Sequence, residues 1–370
     1  MTRQVRITCV VGTRPEAIKM APLMAALKED PFFRLRVLAS GQHSDMLFQA
    51  LSHFGIEADA NLKIMKERQT LDHVTSAVLE GVGAFLDMEP QDMVLVHGDT
   101  TTTFASALAA FYRGIPIGHV EAGLRSHDLS RPFPEEANRI LTDRIATLFF
   151  APTHRAAENL RSEGTSPSRI FVTGNTVIDA LFRTLQNVGG AAVLDPVPEE
   201  APLILMTAHR RESWGEPLAE VCRAVRNIMG KHPEVRFLIP LHKNPVVRKT
   251  IMGELGEVDG VVFTEPLDYP DFVAAMNRSL FIMSDSGGIQ EEASALKKPV
   301  LILRDVSERP EALSEGTGVL VGTDMRRIEN EAMRLLEDEA YLETFSGRGS
   351  PFGDGTAAEK IVEAVKGYFK

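Results

Sequence analysis

Residues 6–11, Arg-Ile-Thr-Cys-Val-Val, run directly into residues 12–16, Gly-Thr-Arg-Pro-Glu. An apolar run of strand length thus ends on a glycine and a charged turn just before a helix starts. The same unit recurs along the first half of the chain. Apolar runs at 35–39, 93–97, 116–120, 148–151 and 170–173 alternate with helix-period segments. In the segment 71–88, for example, Leu71, Val74, Val78, Leu79, Val82 and Leu86 share one face over about five turns. A second set of strands is expected at 203–207, 236–241, 261–264, 280–284, 300–303 and 319–321. Short apolar strands separated by amphipathic helices are the pattern of a mostly parallel sheet covered on both faces, so the fold class is α/β.

Between the two sets, residues 189–202 (GGAAVLDPVPEEAP) hold two glycines and three prolines with little periodicity. A domain boundary is expected there, giving a first domain 1–188 and a second 189–355. Periodicity alone assigns the last helix, 356–370, to neither. A length of 370 residues suits two such domains, each with its own core. The 44% hydrophobic and 25% charged fractions are those of a globular protein, and the net charge of -11 does not suit a partner with a phosphate backbone. Nucleic acid is therefore not an expected partner. No stretch of 18 apolar residues occurs, so no membrane span is expected. Cys9 and Cys222 lie far apart in apolar segments and read as core residues of a cytoplasmic protein, with no disulfide framework.

In open α/β sheets ligands bind beyond the carboxyl ends of the strands, so the residues following each apolar run carry the functional information. Five of these ends are polar: Gly12 to Glu16, His97-Gly98-Asp99, Glu121-Ala122-Gly123, Thr207 to Glu212, and Ser284 to Gly288. Ser286, Gly287 and Gly288 open a helix with small residues, which lets a diphosphate approach free N–H groups at the positive end of the helix dipole. A plain turn that needs glycine would look the same. Arg14, Lys19 and Arg309 are cations at strand ends that can neutralise diphosphate charge, and Glu292, one turn into that helix, suits ribose hydroxyls. Each taken alone also reads as an ordinary surface charge. Asp99, Glu121 and Glu135 are carboxylates close enough in sequence to share a pocket for acid-base work, although Asp99 and Glu135 also fit helix starts. His209 suits a phosphate contact, a proton shuttle or a structural role. Metal-binding, ATP-binding and nicotinamide fingerprints are all missing, so no cofactor and no metal are expected.

The ordered set GTRPEAIKMAPL (12–23), GQHSDML (41–47), VHGDTTTT (96–103), GHVEAGLRS (118–126), PEEANR (134–139), TGNTVIDAL (173–181), HRRESWG (209–215), SDSGGIQEEA (284–293) and RPEA (309–312) resembles the non-hydrolysing UDP-N-acetylglucosamine 2-epimerases over nearly the whole chain. The resemblance implies a GT-B fold: two Rossmann-like doubly wound domains, an active site in the cleft between them, and a last helix that joins the first domain. It implies reversible epimerisation between UDP-N-acetylglucosamine and UDP-N-acetylmannosamine through elimination of UDP to 2-acetamidoglucal, and a homodimer. By matching motif, Asp99, Glu121 and Glu135 resemble the family's catalytic carboxylates and His209 the group beside the departing phosphate. Arg14, Lys19, Ser286, Gly287, Gly288, Glu292 and Arg309 resemble its substrate contacts, with Phe272 near uracil or simply in the core. Gln42, His43, Arg68 and His242 match positions that hold a second UDP-N-acetylglucosamine as activator, although Asp45 is an acid where some relatives carry glutamine.

Three other activities fit parts of this pattern: a hydrolysing 2-epimerase, a glycosyltransferase that uses a UDP-sugar donor, and a UDP-sugar sensor. Gln42-His43 argues against the first, and three carboxylates are surplus to the other two.

Overall fold

The computed structural model describes residues 3–370 except 42–43, 67–68, 188, 190, 308 and 316. It divides into two compact units, residues 1–180 with 353–370, and residues 181–352. The division falls inside the helix Thr176–Asn187, before the Gly/Pro-rich stretch in which composition places a boundary. Composition marks where regular structure stops, whereas packing already changes hands within the preceding helix.

The first unit holds strands β1 (Val5–Val11), β2 (Phe33–Ala39), β3 (Ala60–Asn61), β4 (Met93–His97), β5 (Ile117–Val120), β6 (Leu148–Ala151) and β7 (Ile170–Val172). They pair in parallel in the order β3-β2-β1-β4-β5-β6-β7. Every residue of β4 and β6 is buried, as expected of strands with helices on both faces. Val10, Leu38, Val94 and Val96 meet Val78, Val82 and Phe85 of the helix Leu71–Met88 in one core. Among the described strands, sequence periodicity misses only β3. Two residues are too few to show a period, and β3 exists because Leu38 and Ala39 offer an open edge to Ala60 and Asn61.

The second unit holds β8 (Leu203–Thr207), β9 (Arg236–Pro240), β10 (Val261–Thr264), β11 (Phe281–Ser284), β12 (Val300–Ile302) and β13 (Gly318–Leu320), again parallel, in the order β10-β9-β8-β11-β12-β13. Its own core gathers Ile204, Met206, Cys222, Val225, Phe237 and Phe281. The last helix, Ala357–Tyr368, belongs to the first unit. Asp179 accepts hydrogen bonds from the N–H groups of Ala358 (2.8 Å) and Ala357 (3.2 Å), Lys366 pairs with Asp30 at 2.6 Å, and Ile361 and Val365 are buried. Burial pushes the Asp179 carboxyl up to about 6 against the pull of those two N–H groups. Among the described residues no helix is long and apolar enough to cross a membrane.

Candidate functional site

Each sheet reverses its strand order at one point, between β1 and β4 in the first unit and between β8 and β11 in the second. Crevices beyond the carboxyl ends of strands at such points bind ligands in open α/β folds. All the described candidates for catalysis and diphosphate binding lie on or near these two places.

In the first unit, β1 ends at Val11 and the chain turns through Gly12, where a Cβ would stand 2.5 Å from Thr102 Oγ1 and 2.8 Å from Ser40 Oγ. Only glycine fits. Thr13 caps the helix Arg14–Glu29 in a capping box with Glu16. The Glu16 carboxylate is 3% exposed, accepts the N–H groups of Gly12 (2.6 Å) and Thr13 (2.7 Å), and is met by Thr100 Oγ1 at 2.5 Å. Burial raises its pKa, and these donors oppose the rise. Glu16 therefore ties the turn after β1 to the loop after β4.

That second loop carries Asp99. Its carboxylate pairs with Arg139, and Asn138 Nδ2 donates to its carbonyl at 3.0 Å. Arg139 also reaches Glu136 at 3.1 Å, and buried Glu136 accepts the N–H groups of Ser126 and His127, both at 3.0 Å. The adjacent glutamates of Pro-Glu-Glu-Ala-Asn-Arg thus part company. Glu136 holds the loop, while half-buried Glu135 opens the helix Glu135–Ile145 with a buried Oε2 that has no hydrogen-bond partner. Glu121 follows β5 with φ +64°, a conformation uncommon for residues other than glycine. Its Oε2 pairs with Lys19, accepts from Asn175 Nδ2 at 2.7 Å and lies 3.7 Å from His97 Nε2. His97, 4% exposed, has no hydrogen-bond partner on either ring nitrogen, and burial lowers its pKa to about 4 despite the Glu121 charge. Arg14 is half-buried at the first position of its helix.

In the second unit, β8 leads to His209 and β11 to Asp285. Asp285 has no exposed surface; its Oδ2 accepts the N–H groups of His209 and Arg210, both at 2.8 Å, and its Oδ1 lies 3.0 Å from His209 Nδ1. Burial raises this carboxyl, but His209 and the two N–H groups outweigh it and leave the pKa below the usual value. His209 is thereby turned with Nδ1 inward. Its ring stacks on His242 at 5.8 Å, and burial, helped by His209, lowers the His242 pKa.

The helix Gly287–Ala295 starts beside them, and its N-cap Ser286 makes no side-chain capping bond. A Cβ on Gly288 would meet nothing within 4 Å, and one on Gly287 would reach only Arg309 Cζ at 4.0 Å. Packing within the chain therefore does not demand these glycines. Arg309 pairs with Glu291, and Glu292 is buried and accepts from Tyr269 OH at 2.8 Å. Phe272 is half-buried on the helix Tyr269–Arg278. Gln42, His43 and Arg68 lie outside the described residues.

The first unit thus gathers Lys19 with Glu121 and anchors Asp99 to the helix that starts at Glu135. The second gathers His209 and His242, and places Ser286, Gly287 and Gly288 at one helix start with Arg309 beside Gly287. Sequence reasoning assigns no role to Glu16, Asn138, Arg139, Asn175 and Asp285, which hold the turns and side chains of the site, or to His97, which lies behind Glu121. All six sit inside the quoted motifs, and Glu16, His97 and Asp285 also lie on the polar strand ends. Among the described residues no group of three or more His, Cys, Asp or Glu side chains is arranged to hold a metal ion.

A family model described as UDP-N-acetylglucosamine 2-epimerase matches residues 25–366. A UDP-N-acetylglucosamine 2-epimerase of Escherichia coli (strain K12) is 48% identical over 369 residues, 98% of each chain. Its counterpart from Bacillus subtilis (strain 168) is 49% identical over 364 residues, 98% of this chain and 95% of that one. The crystal structure of UDP-GlcNAc 2-epimerase from Neisseria meningitidis bound to UDP-GlcNAc superposes with a TM-score of 0.92 at 44% identity, covering 98% of this chain and all of that one.

Proposed function

The chain belongs to the UDP-N-acetylglucosamine 2-epimerase family, and from that membership we propose that it interconverts UDP-N-acetylglucosamine and UDP-N-acetylmannosamine without releasing free sugar. The observation that carries this reading is the division of labour between the two strand-order reversals. At one, Lys19 pairs with Glu121 and Arg139, on the helix that Glu135 opens, pairs with Asp99; at the other, the helix Gly287–Ala295 starts with no side-chain cap and no side chain at Gly287 or Gly288.

The hydrogen on sugar carbon 2 is not acidic, because no adjacent carbonyl stabilises a carbanion. Removing it demands that the bond from carbon 1 to UDP break as well. A carboxylate takes the proton, the C–H electrons form the double bond of 2-acetamidoglucal, and the C–O electrons leave on the diphosphate. Return of UDP to carbon 1, with a proton delivered to the other face of carbon 2, completes the inversion. Two or more acid-base groups meet this need, and each contributes typically about 10² to 10⁴ in rate. Lys19 beside Glu121 and Arg139 beside Asp99 supply positive charge next to two of the carboxylates.

On the second unit, the first N–H groups of the helix Gly287–Ala295 receive the diphosphate, with Ser286 and Arg309 beside them. His209, its Nδ1 turned toward Asp285, presents Nε2 to the leaving phosphate oxygen. Glu292, tied to Tyr269, faces the ribose, and Phe272 flanks the base. Arg14 adds charge at the other reversal. Gln42, His43, Arg68 and His242 hold a second UDP-N-acetylglucosamine that activates the enzyme, which works as a homodimer. The free, buried Cys9 and Cys222 fit a cytoplasmic enzyme.

The test is to incubate the protein with UDP-N-acetylglucosamine in heavy water and follow the products by NMR. Deuterium at carbon 2 together with intact UDP-N-acetylmannosamine is expected. Free N-acetylmannosamine would mean a hydrolysing enzyme, and no exchange would mean a transferase or a sensor.

A further inference from the structure

Behind the carboxylates of the first unit lies a buried ionic network that no step above uses. His119, on β5, has no exposed surface. Its Nε2 is 2.7 Å from the carbonyl oxygen of Gly98 and its Nδ1 is 2.6 Å from Asp143 Oδ1. Each ring nitrogen thus faces an oxygen, one on the loop after β4 and one on the helix Glu135–Ile145. Asp143 Oδ2 in turn accepts from Arg125 Nη2 at 2.6 Å and from the N–H of Gly123 at 3.3 Å, and Arg125 Nε donates to Glu163 at 2.7 Å. Burial pushes the Asp143 carboxyl up, but His119 and Arg125 outweigh it and hold it below the usual range.

The attachment points matter more than the network itself. Gly98 is the residue before Asp99, Gly123 is two residues after Glu121, and Asp143 lies on the helix that Glu135 opens. Burying several charges costs desolvation that an apolar core of the same volume would avoid, so stability alone does not account for the arrangement. Resting on the reading that these three carboxylates transfer protons, we propose that His119 and Asp143 are positioning residues that set the spacing of Asp99, Glu121 and Glu135. Neither touches substrate. They act by bolting the loops after β4 and β5 and the helix Glu135–Ile145 to one rigid hub, where displacement by about 1 Å can cost roughly 10² in rate.

Two substitutions at one position separate positioning from mere support. In His119→Gln the amide reaches the place of Nε2 and keeps a donor to Gly98. In His119→Asn it stands in for Nδ1, keeping Asp143 and losing Gly98. The expected result is a fall in kcat of about 10² for His119→Asn and of less than about tenfold for His119→Gln, with KM for UDP-N-acetylglucosamine and UDP affinity by calorimetry unchanged in both. Full kcat in His119→Asn, or a smaller loss in it than in His119→Gln, overturns the proposal. Should either His119 variant fail to fold by circular dichroism, the near-isosteric Asp143→Asn carries the test: a lower kcat at unchanged KM supports the hub and a wild-type kcat overturns it. Absence of carbon 2 exchange in the unaltered chain would overturn the parent reading together with this one. A wrong ordering among variants of an active chain overturns this one alone.

Discussion

The two strand-order reversals share one topology and are finished in different ways. Around the first, both helix starts are closed by the chain's own side chains: Thr13 and Glu16 cap the helix after β1, and Thr100 Oγ1 accepts the N–H of Thr103 at the start of the helix after β4. Around the second, Asp285 takes the two N–H groups after β8, while the helix after β11 begins with no side-chain cap and no side chain at Gly287 or Gly288. Orphan N–H groups are common to every helix start. What distinguishes an anion holder from a rigid platform is whether the chain spends those donors on itself. The first unit does, and so mounts carboxylates. The second spends two of them on Asp285 and leaves the helix start at Gly287 without a side-chain cap.

Three substitutions, two in the first unit and one in the second, sharpen or break that contrast. The largest effect is expected for Asp99→Asn, which should lower kcat by about 10² to 10⁴ while UDP still binds in calorimetry. Near-normal turnover would take Asp99 out of the chemistry. Next is Gly288→Ala, which adds a Cβ where the chain has nothing within 4 Å and replaces a helical glycine. Stability should hold or rise slightly, by up to about 1 kcal/mol, because alanine loses less backbone freedom. UDP affinity should fall by about tenfold or more, the equivalent of about 1.4 kcal/mol, and unchanged affinity would mean that this helix start does not hold the diphosphate.

The smallest effect concerns His97, the neutral imidazole behind Glu121. Its folded pKa of about 4 lies below that of an unfolded histidine, so between about pH 6.5 and pH 4 the unfolded state binds more protons and acid favours unfolding. The contribution at pH 5.5 is about 1 kcal/mol, or roughly 2 to 4 °C of melting temperature. His97→Asn should flatten the acid limb of the melting curve measured by calorimetry. An acid limb of equal slope would show that His97 is not the group responsible.

Much of this architecture can be read from residue order. The runs at 93–97, 148–151 and 203–207 coincide with β4, β6 and β8, because strands covered on both faces are apolar almost throughout and leave an unmistakable trace; the run at 261–264 coincides with the edge strand β10, whose residues are only partly buried. β3 leaves none, since its pairing depends on what β2 exposes rather than on its own two residues. The site divides along the same line. Asp99, Glu121 and Glu135 are visible as carboxylates after strands or at a helix start, yet Pro-Glu-Glu-Ala-Asn-Arg does not say which glutamate is structural. That answer comes from Ser126, His127 and Arg139, all of which close on Glu136.

Local chemistry along the chain therefore sufficed for the α/β class, the strand-end residues and the family, since periodicity, glycine turns and motif order are properties of neighbouring residues. Packing alone decided that Asp285 spends its charge on backbone N–H groups, that Glu292 is bonded to Tyr269, and that His119 and Asp143 stand behind Gly98 and Gly123. These contacts join residues distant in sequence. Their strength comes from burial, and burial exists only once the sheets have assembled.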